Sequence, residues 1–123
     1  MSKKKVLVCD DDTGILEMLE LALESDETVI ITESNSLNVI PLIEKEKPDL
    51  ILLDLWMPVL SGDQILRAIR QQTDTQSLPV IIISASLDGA KIARENGAND
   101  FLAKPFDIDE LFNRVCKQIE VGC

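Results

Sequence analysis

In this chain, carboxylates stand where apolar runs stop. Leu50-Ile-Leu-Leu runs straight into Asp54, and Pro58 follows four residues later. Val6-Leu-Val-Cys runs into Asp10-Asp11-Asp12. Two further runs end on other reactive groups, Val80-Ile-Ile-Ile on Ser84 and Phe101-Leu-Ala on Lys104. Two carboxylates about 4 Å apart repel by about 4 kcal/mol at an effective dielectric near 20. Bringing Asp10, Asp11 and Asp54 together is therefore costly unless a cation neutralises them or a proton is taken up. A few hard oxygen ligands on rigid strand ends suit Mg²⁺ with several retained waters, and Mn²⁺ as a substitute. Lys104 adds a positive charge and Ser84 a hydroxyl donor. Such a set can hold a phosphoryl group, whose transfer is mostly positioning plus charge neutralisation. A carboxylate can also be the nucleophile, giving an acyl phosphate.

Convergence requires the right scaffold. Leu50 to Leu53 do not alternate with polar residues, which predicts a strand covered on both faces. Lys5 to Cys9, Thr28 to Thr32, Pro79 to Ser84 and Asp100 to Ala103 read as the other strands. Helical spacing predicts helices over Thr13 to Glu24, Ser36 to Lys47, Asp63 to Gln72 and Asp107 to Glu120, and the stretch from Leu87 to Asn96 reads as a short helix, fourth in chain order. Pro41 marks a kink in the second of these. Asp12 or Thr13 caps the first, Ser61-Gly62 supplies a turn before the third, and Gly97 closes the fourth as a left-handed stop. Strands alternating with helices over short connections imply an α/β fold, a parallel sheet with helices on both faces. In such a sheet ligand chemistry collects at the carboxyl ends of the strands. If strand 1 lies beside strand 3, the aspartates meet there.

Composition narrows the function. A length of 123 residues fits one domain, taken as residues 1–123. The formal net charge of -10 disfavours direct nucleic-acid binding, which needs clustered Lys and Arg. The chain has no histidine, so His-based catalysis and His metal ligands are excluded. Cys9, Cys116 and Cys123 show no metal-type spacing and, with no signal-peptide pattern behind Met1 to Lys5, fit a reducing cytoplasm. No apolar run is long enough for membrane insertion. Lys3 to Lys5 read as a solvated tail.

Taken in order, Val6-Leu-Val-Cys-Asp10-Asp11-Asp12, Leu53-Asp54-Leu-Trp-Met-Pro58 with Gly62, Ile83-Ser84-Ala85 and Lys104-Pro105-Phe106 resemble a response-regulator receiver domain, the phosphoacceptor module of two-component signalling. Each motif alone is common. Their order, each at the end of a predicted strand, carries the resemblance over essentially the whole chain. It implies a flavodoxin-like, doubly wound sheet of five parallel strands in the order 2-1-3-4-5. It further implies phosphorylation of Asp54, Mg²⁺ bound by Asp11, by Asp10 through water, by Asp54 and by the Trp56 backbone carbonyl, and phosphoryl contacts from Ser84, Lys104 and the Ala85 N–H. A cis peptide before Pro105 is expected on the same ground. So is a switch of Ser84 and Phe101 that tracks phosphorylation, and an output face that includes Lys91, Arg94, Asn99, Asp100 and Arg114. The implied partners are a histidine kinase or histidine phosphotransfer protein and a protein output target. The receiver would catalyse its own phosphorylation, from phosphohistidine or a small donor such as acetyl phosphate, and assist hydrolysis of the product.

The chain departs from that pattern in three places. Phe101 lacks a hydroxyl, so the hydrogen-bonded form of the switch is not open to it. The stretch from Ser84 to Gly97 is short, which predicts a truncated or displaced fourth helix. Trp56 is bulky at a position that often tunes dephosphorylation, and is expected to shield the acyl phosphate.

Plainer roles compete at single residues. Asp12 is best read as a helix cap, Cys9 as a small buried hydrophobe, Phe101 as core as well as switch, and Trp56 as a surface-loop aromatic. Two other functions compete for the whole chain. A pseudo-receiver would bind partners without phosphorylation, which the complete acidic set argues against. A metal-dependent phosphohydrolase of the haloacid-dehalogenase type would want a second Asp two residues after the first, where this chain has Trp56. A Rossmann dinucleotide site is disfavoured because no Gly-rich fingerprint follows strand 1.

Overall fold

The computed structural model describes residues 3–120. Five strands alternate with five α-helices: β1 (Lys4–Cys9), α1 (Thr13–Leu23), β2 (Thr28–Glu33), α2 (Val39–Glu46), β3 (Leu50–Asp54), α3 (Gly62–Gln71), β4 (Val80–Ser84), α4 (Gly89–Glu95), β5 (Asp100–Ala103) and α5 (Ile108–Ile119). All strand pairs are parallel, and the sheet order is β2-β1-β3-β4-β5. This is the doubly wound, flavodoxin-like arrangement the sequence implies.

The apolar strand runs feed two cores because successive side chains leave a strand on opposite faces. Val6, Val8, Leu50, Leu52, Ile81 and Ile83 pack with Leu16 and Leu19 of α1 and Leu111 and Val115 of α5. Leu7, Cys9, Ile51, Leu53, Val80 and Ile82 pack on the other face with Val39 and Ile43 of α2, Ile65 and Ile69 of α3 and Ala93 of α4. Each fully buried Leu or Ile contributes about 1.5–3 kcal/mol. β3 is buried along its whole length, so it is a stiff mount for Asp54.

Helix ends differ from expectation where local chemistry competes. The second helix does not start at Ser36. Residues Ser36–Asn38 form a 3₁₀ turn, with Asn35 accepting from the Leu37 N–H at 3.0 Å, and α2 begins at Val39. Pro41 is thus the third residue of α2, in the first turn, where no intrahelical N–H is required of it, and it marks no mid-helix kink. α4 omits Leu87 and Asp88, which fall in a turn closed by the Gly89 N–H on the Ser86 carbonyl at 3.2 Å, with the Ser86 hydroxyl on the Asp88 carboxylate. The helix is seven residues long, the shortest of the five α-helices. α3 starts at Gly62, one residue earlier than expected, because the Ser61 N–H bonds the Gln64 side chain at 3.0 Å. Asp12, not Thr13, caps α1, accepting from Gly14 and Ile15 N–H at 2.9 and 3.3 Å. Gly97 stops α4 in the left-handed region, with φ of 89°.

Candidate functional site

Strand order reverses between β1 and β3, and open α/β sheets bind ligands in the crevice at that point. Asp10 follows β1 directly and Asp54 ends β3, so the register that pairs Cys9 with Leu53 sets both at one edge of the crevice. Oxygens of Asp10, Asp11 and Asp54 lie within 4.8 Å of one another. Asp10 and Asp54 are buried, whereas Asp11 is exposed. Lys104, just past β5, reaches across β4 to this cluster. Its Nζ lies 2.8 Å from Asp10 Oδ2 and 3.3 Å from Asp54 Oδ1, and its backbone N–H bonds the Ser84 carbonyl at 2.9 Å. The peptide between Lys104 and Pro105 is cis.

The cluster is short of positive charge. Three carboxylates face one ammonium, which leaves two negative charges unmatched when all are ionised. Burial, then the neighbouring Asp10, push the Asp54 carboxyl up to about 6, against the pull of Lys104. Burial pulls Lys104 down, but bonding and attraction from Asp10 and Asp54 outweigh it and hold the ammonium above its ordinary value. Three hard oxygen donors with this deficit fit a divalent cation of the Mg²⁺ type.

The other expected residues stand around the cluster. Ser84 ends β4, fully buried, one residue past the Ile83 that pairs with Asp54. Its hydroxyl oxygen accepts from the Ser86 N–H at 3.0 Å. Ala85 is exposed and, with Lys104, Pro105, Ile15, Met18 and Phe106, lines an apolar groove beside the cluster. Trp56 is two residues beyond Asp54, and its side chain is about half exposed. Phe101 is half-buried, with its ring behind Ser84 against the start of α4. A methyl placed on Gly89 would lie 2.8 Å from that ring and 3.0 Å from Ser84 Cβ. Within the expected output face, Arg114 bonds Asp100 at 2.6 Å and the Phe101 carbonyl at 3.0 Å, and Asn99 accepts from the Val80 N–H at 2.9 Å.

Two positioning features were not legible from spacing. Gly62, which spacing marks as a turn former and the resemblance as part of a motif, packs directly on β3, because a Cβ there would sit 2.5 Å from the Asp54 carbonyl oxygen. Ser36, read as an unremarkable helix residue, is buried beside the loop after Asp54. It donates to the Pro58 carbonyl at 2.6 Å and accepts from the Leu60 N–H at 3.1 Å. Both contacts join segments more than 20 residues apart, and no local pattern encodes them.

A doubly wound α/β sheet with an acidic crevice at its switch point defines the class. The chain belongs to the response regulator receiver domain family, whose model matches residues 6–116. It is 40% identical over 115 residues to the transcriptional regulatory protein KdpE of Staphylococcus aureus, covering 92% of this chain and 48% of that protein. It is 35% identical over 121 residues to sporulation initiation phosphotransferase F of Bacillus subtilis, covering 97% and 96%. A crystal structure of a chain described as a response regulator from Chloroflexus aurantiacus superposes with a TM-score of 0.91 at 30% identity, over 98% of this chain and all of that one. The chain thus spans about half of the first of these relatives and nearly all of the second. Among the described residues no helix is long and apolar enough to cross a membrane.

Proposed function

We propose that this receiver accepts a phosphoryl group on Asp54 from the phosphohistidine of a histidine kinase or histidine phosphotransfer protein, and that the product switches a surface read by a protein target. The observation that carries this reading is Lys104 Nζ shared between Asp10 and Asp54 in a cluster with too few positive charges. An Asp54 carboxylate oxygen attacks phosphorus, the P–N bond breaks, and the electron pair leaves with the donor imidazole. Lys104 then exchanges its contact with Asp54 for one with a phosphoryl oxygen, while the Ser84 hydroxyl and Ala85 N–H donate to the others. Asp10, Asp11, Asp54 and the Trp56 carbonyl would hold Mg²⁺, which supplies charge neutralisation on the transferring group. Hydrolysis regenerates the carboxylate, and the half-exposed Trp56 side chain restricts water near the acyl phosphate. The half-buried Phe101 ring and Ser84 both crowd the space over Gly89, which gives the phosphorylated site a packing route to α4. The setting is the cytoplasm, where such kinases present their phosphohistidine, and the domain of residues 1–123 acts as one unit. With a formal net charge of -10 the domain acts through protein contacts and not by binding nucleic acid directly.

The test is intact mass after incubation with acetyl phosphate and Mg²⁺. One phosphate should add to the native chain and none to Asp54→Ala, and Trp56 fluorescence should change when beryllofluoride is added with Mg²⁺. A native chain that gains no phosphate from acetyl phosphate or from any phosphorylated histidine donor would leave the pseudo-receiver as the better account.

A further inference from the structure

The loop from Asp54 to Gly62 must hold a backbone carbonyl steady for a metal that tolerates little departure from ideal geometry. It is tied at its base, where the Gly62 N–H bonds the Leu55 carbonyl at 2.6 Å. Leu55 and Met57 are buried in the core beneath it. Its tip is a tight turn in which the Leu60 N–H bonds the Pro58 carbonyl at 3.0 Å. Between them Val59 has φ of 75° and an exposed side chain. A β-branched residue in the left-handed region is strained and persists only if the surroundings impose it. Val59 has no packing to impose it. Ser36 does, because one hydroxyl engages both ends of the turn, donating to Pro58 and accepting from Leu60. Ser36 is 2% exposed, so water does not readily replace it.

We infer that Ser36, on the turn after β2, is a positioning residue for the metal-binding loop, clasping the strained turn at Val59 so that the peptide of Trp56 stays in place. This rests on the proposal that Mg²⁺ binds among Asp10, Asp11, Asp54 and the Trp56 carbonyl. It places control of that site in a residue on the turn after β2, outside every motif by which the chain is recognised.

The experiment follows Mg²⁺ binding by Trp56 fluorescence, and Leu60 amide exchange in metal-free protein, for the native chain and Ser36→Ala. Thr28→Val is the comparison. It removes another buried hydroxyl, one that bonds the Leu23 carbonyl at 2.9 Å at the opposite edge of the sheet. Ser36→Ala should weaken Mg²⁺ binding roughly three- to tenfold, the equivalent of one modest hydrogen bond, and speed Leu60 exchange. Phosphorylation should need more Mg²⁺ yet reach the native rate at saturation. Thr28→Val should lower the melting temperature and leave the Mg²⁺ curve alone. Ser36→Gly removes the same hydroxyl at a different cost to the 3₁₀ turn, so it should share the Mg²⁺ shift with Ser36→Ala while melting elsewhere. A Mg²⁺ shift that follows melting temperature across the variants, or none in Ser36→Ala, overturns the positioning role. A native chain that binds no Mg²⁺ overturns instead the proposed function on which it rests.

Discussion

The two edges of the sheet treat polar groups in opposite ways. At the amino-terminal edge the partly buried polar groups find neutralising or hydrogen-bonding partners. The Lys5 N–H bonds Asp49 Oδ2 at 2.8 Å, while the Asp49 N–H bonds the Lys5 carbonyl at 2.8 Å. The Lys5 ammonium meets Glu46, and the Thr28 hydroxyl meets Leu23 and Ser25. Arg70 spans the Leu78 and Gly97 carbonyls and the Asn99 side chain, which itself bonds the start of β4. At the carboxyl-terminal edge Asp10 and Asp54 share one lysine, and Asp11 beside them adds a third carboxylate. One end of the same strands is closed for stability, and the other keeps a charge imbalance that a bound cation or a proton can settle. Natural proteins break local consistency at functional sites and compensate elsewhere, and here the two halves of that compensation are the two ends of β1 and β3.

Removing Lys104 should break the contrast most severely. Lys104→Met leaves two buried carboxylates without their ammonium, and breaking one side of a buried ion pair destabilises by about 3–5 kcal/mol. Urea unfolding in chelator at neutral pH should show a loss of this order, and Mg²⁺ should return most of it. A loss that Mg²⁺ leaves unchanged would mean the carboxyl-terminal edge is closed by packing, like its opposite.

Asp54→Asn should do the reverse. The folded Asp54 carboxyl binds its proton more tightly than the unfolded one, at about 6 against 3.8. The folded state therefore holds the extra proton between those values. The Asp54 contribution to metal-free native stability should fall as pH rises from about 4 through 6, then level off. At about 1.4 kcal/mol per pKa unit the loss is about 3 kcal/mol. Asp54→Asn lacks the titrating group, so its advantage in urea unfolding should be largest near pH 7.5 and close to zero near pH 4. An advantage independent of pH would trace the gain to shape and not to charge.

The contrast also explains how much could be read before the structure. Asp10, Asp11, Asp54 and Lys104 were legible because strand ends are local events, marked where an apolar run stops. Sheet order followed from strand-helix alternation joined to the resemblance. The fourth helix, expected from Leu87, begins at Gly89 because the turn over Ser86–Asp88 comes first and holds Leu87 fully exposed. Pro41 makes no mid-helix kink for a related reason. Its effect depends on where the helix begins, and the 3₁₀ turn over Ser36–Asn38, itself capped by Asn35, moves the start of α2 to Val39. Ser36 and Gly62 act through contacts that exist only once β3 and the turn after β2 are side by side.

The smallest effect belongs to the closed edge. Asp49 is the residue that matches Asp54 across β3, one carboxylate before the strand and one at its end. Its partner is a backbone N–H, not another acid, so its charge meets a donor and no deficit arises. Asp49→Ala frees the Lys5 N–H, but Lys5 is only half-buried and water can reach the vacated donor. The expected loss in urea unfolding is about 1 kcal/mol, independent of Mg²⁺. Phosphorylation of Asp54 by acetyl phosphate should proceed at the native rate. If Asp49→Ala instead changed the Mg²⁺ requirement, the two ends of β3 would be coupled through the strand, and stability and chemistry could not be assigned to separate edges.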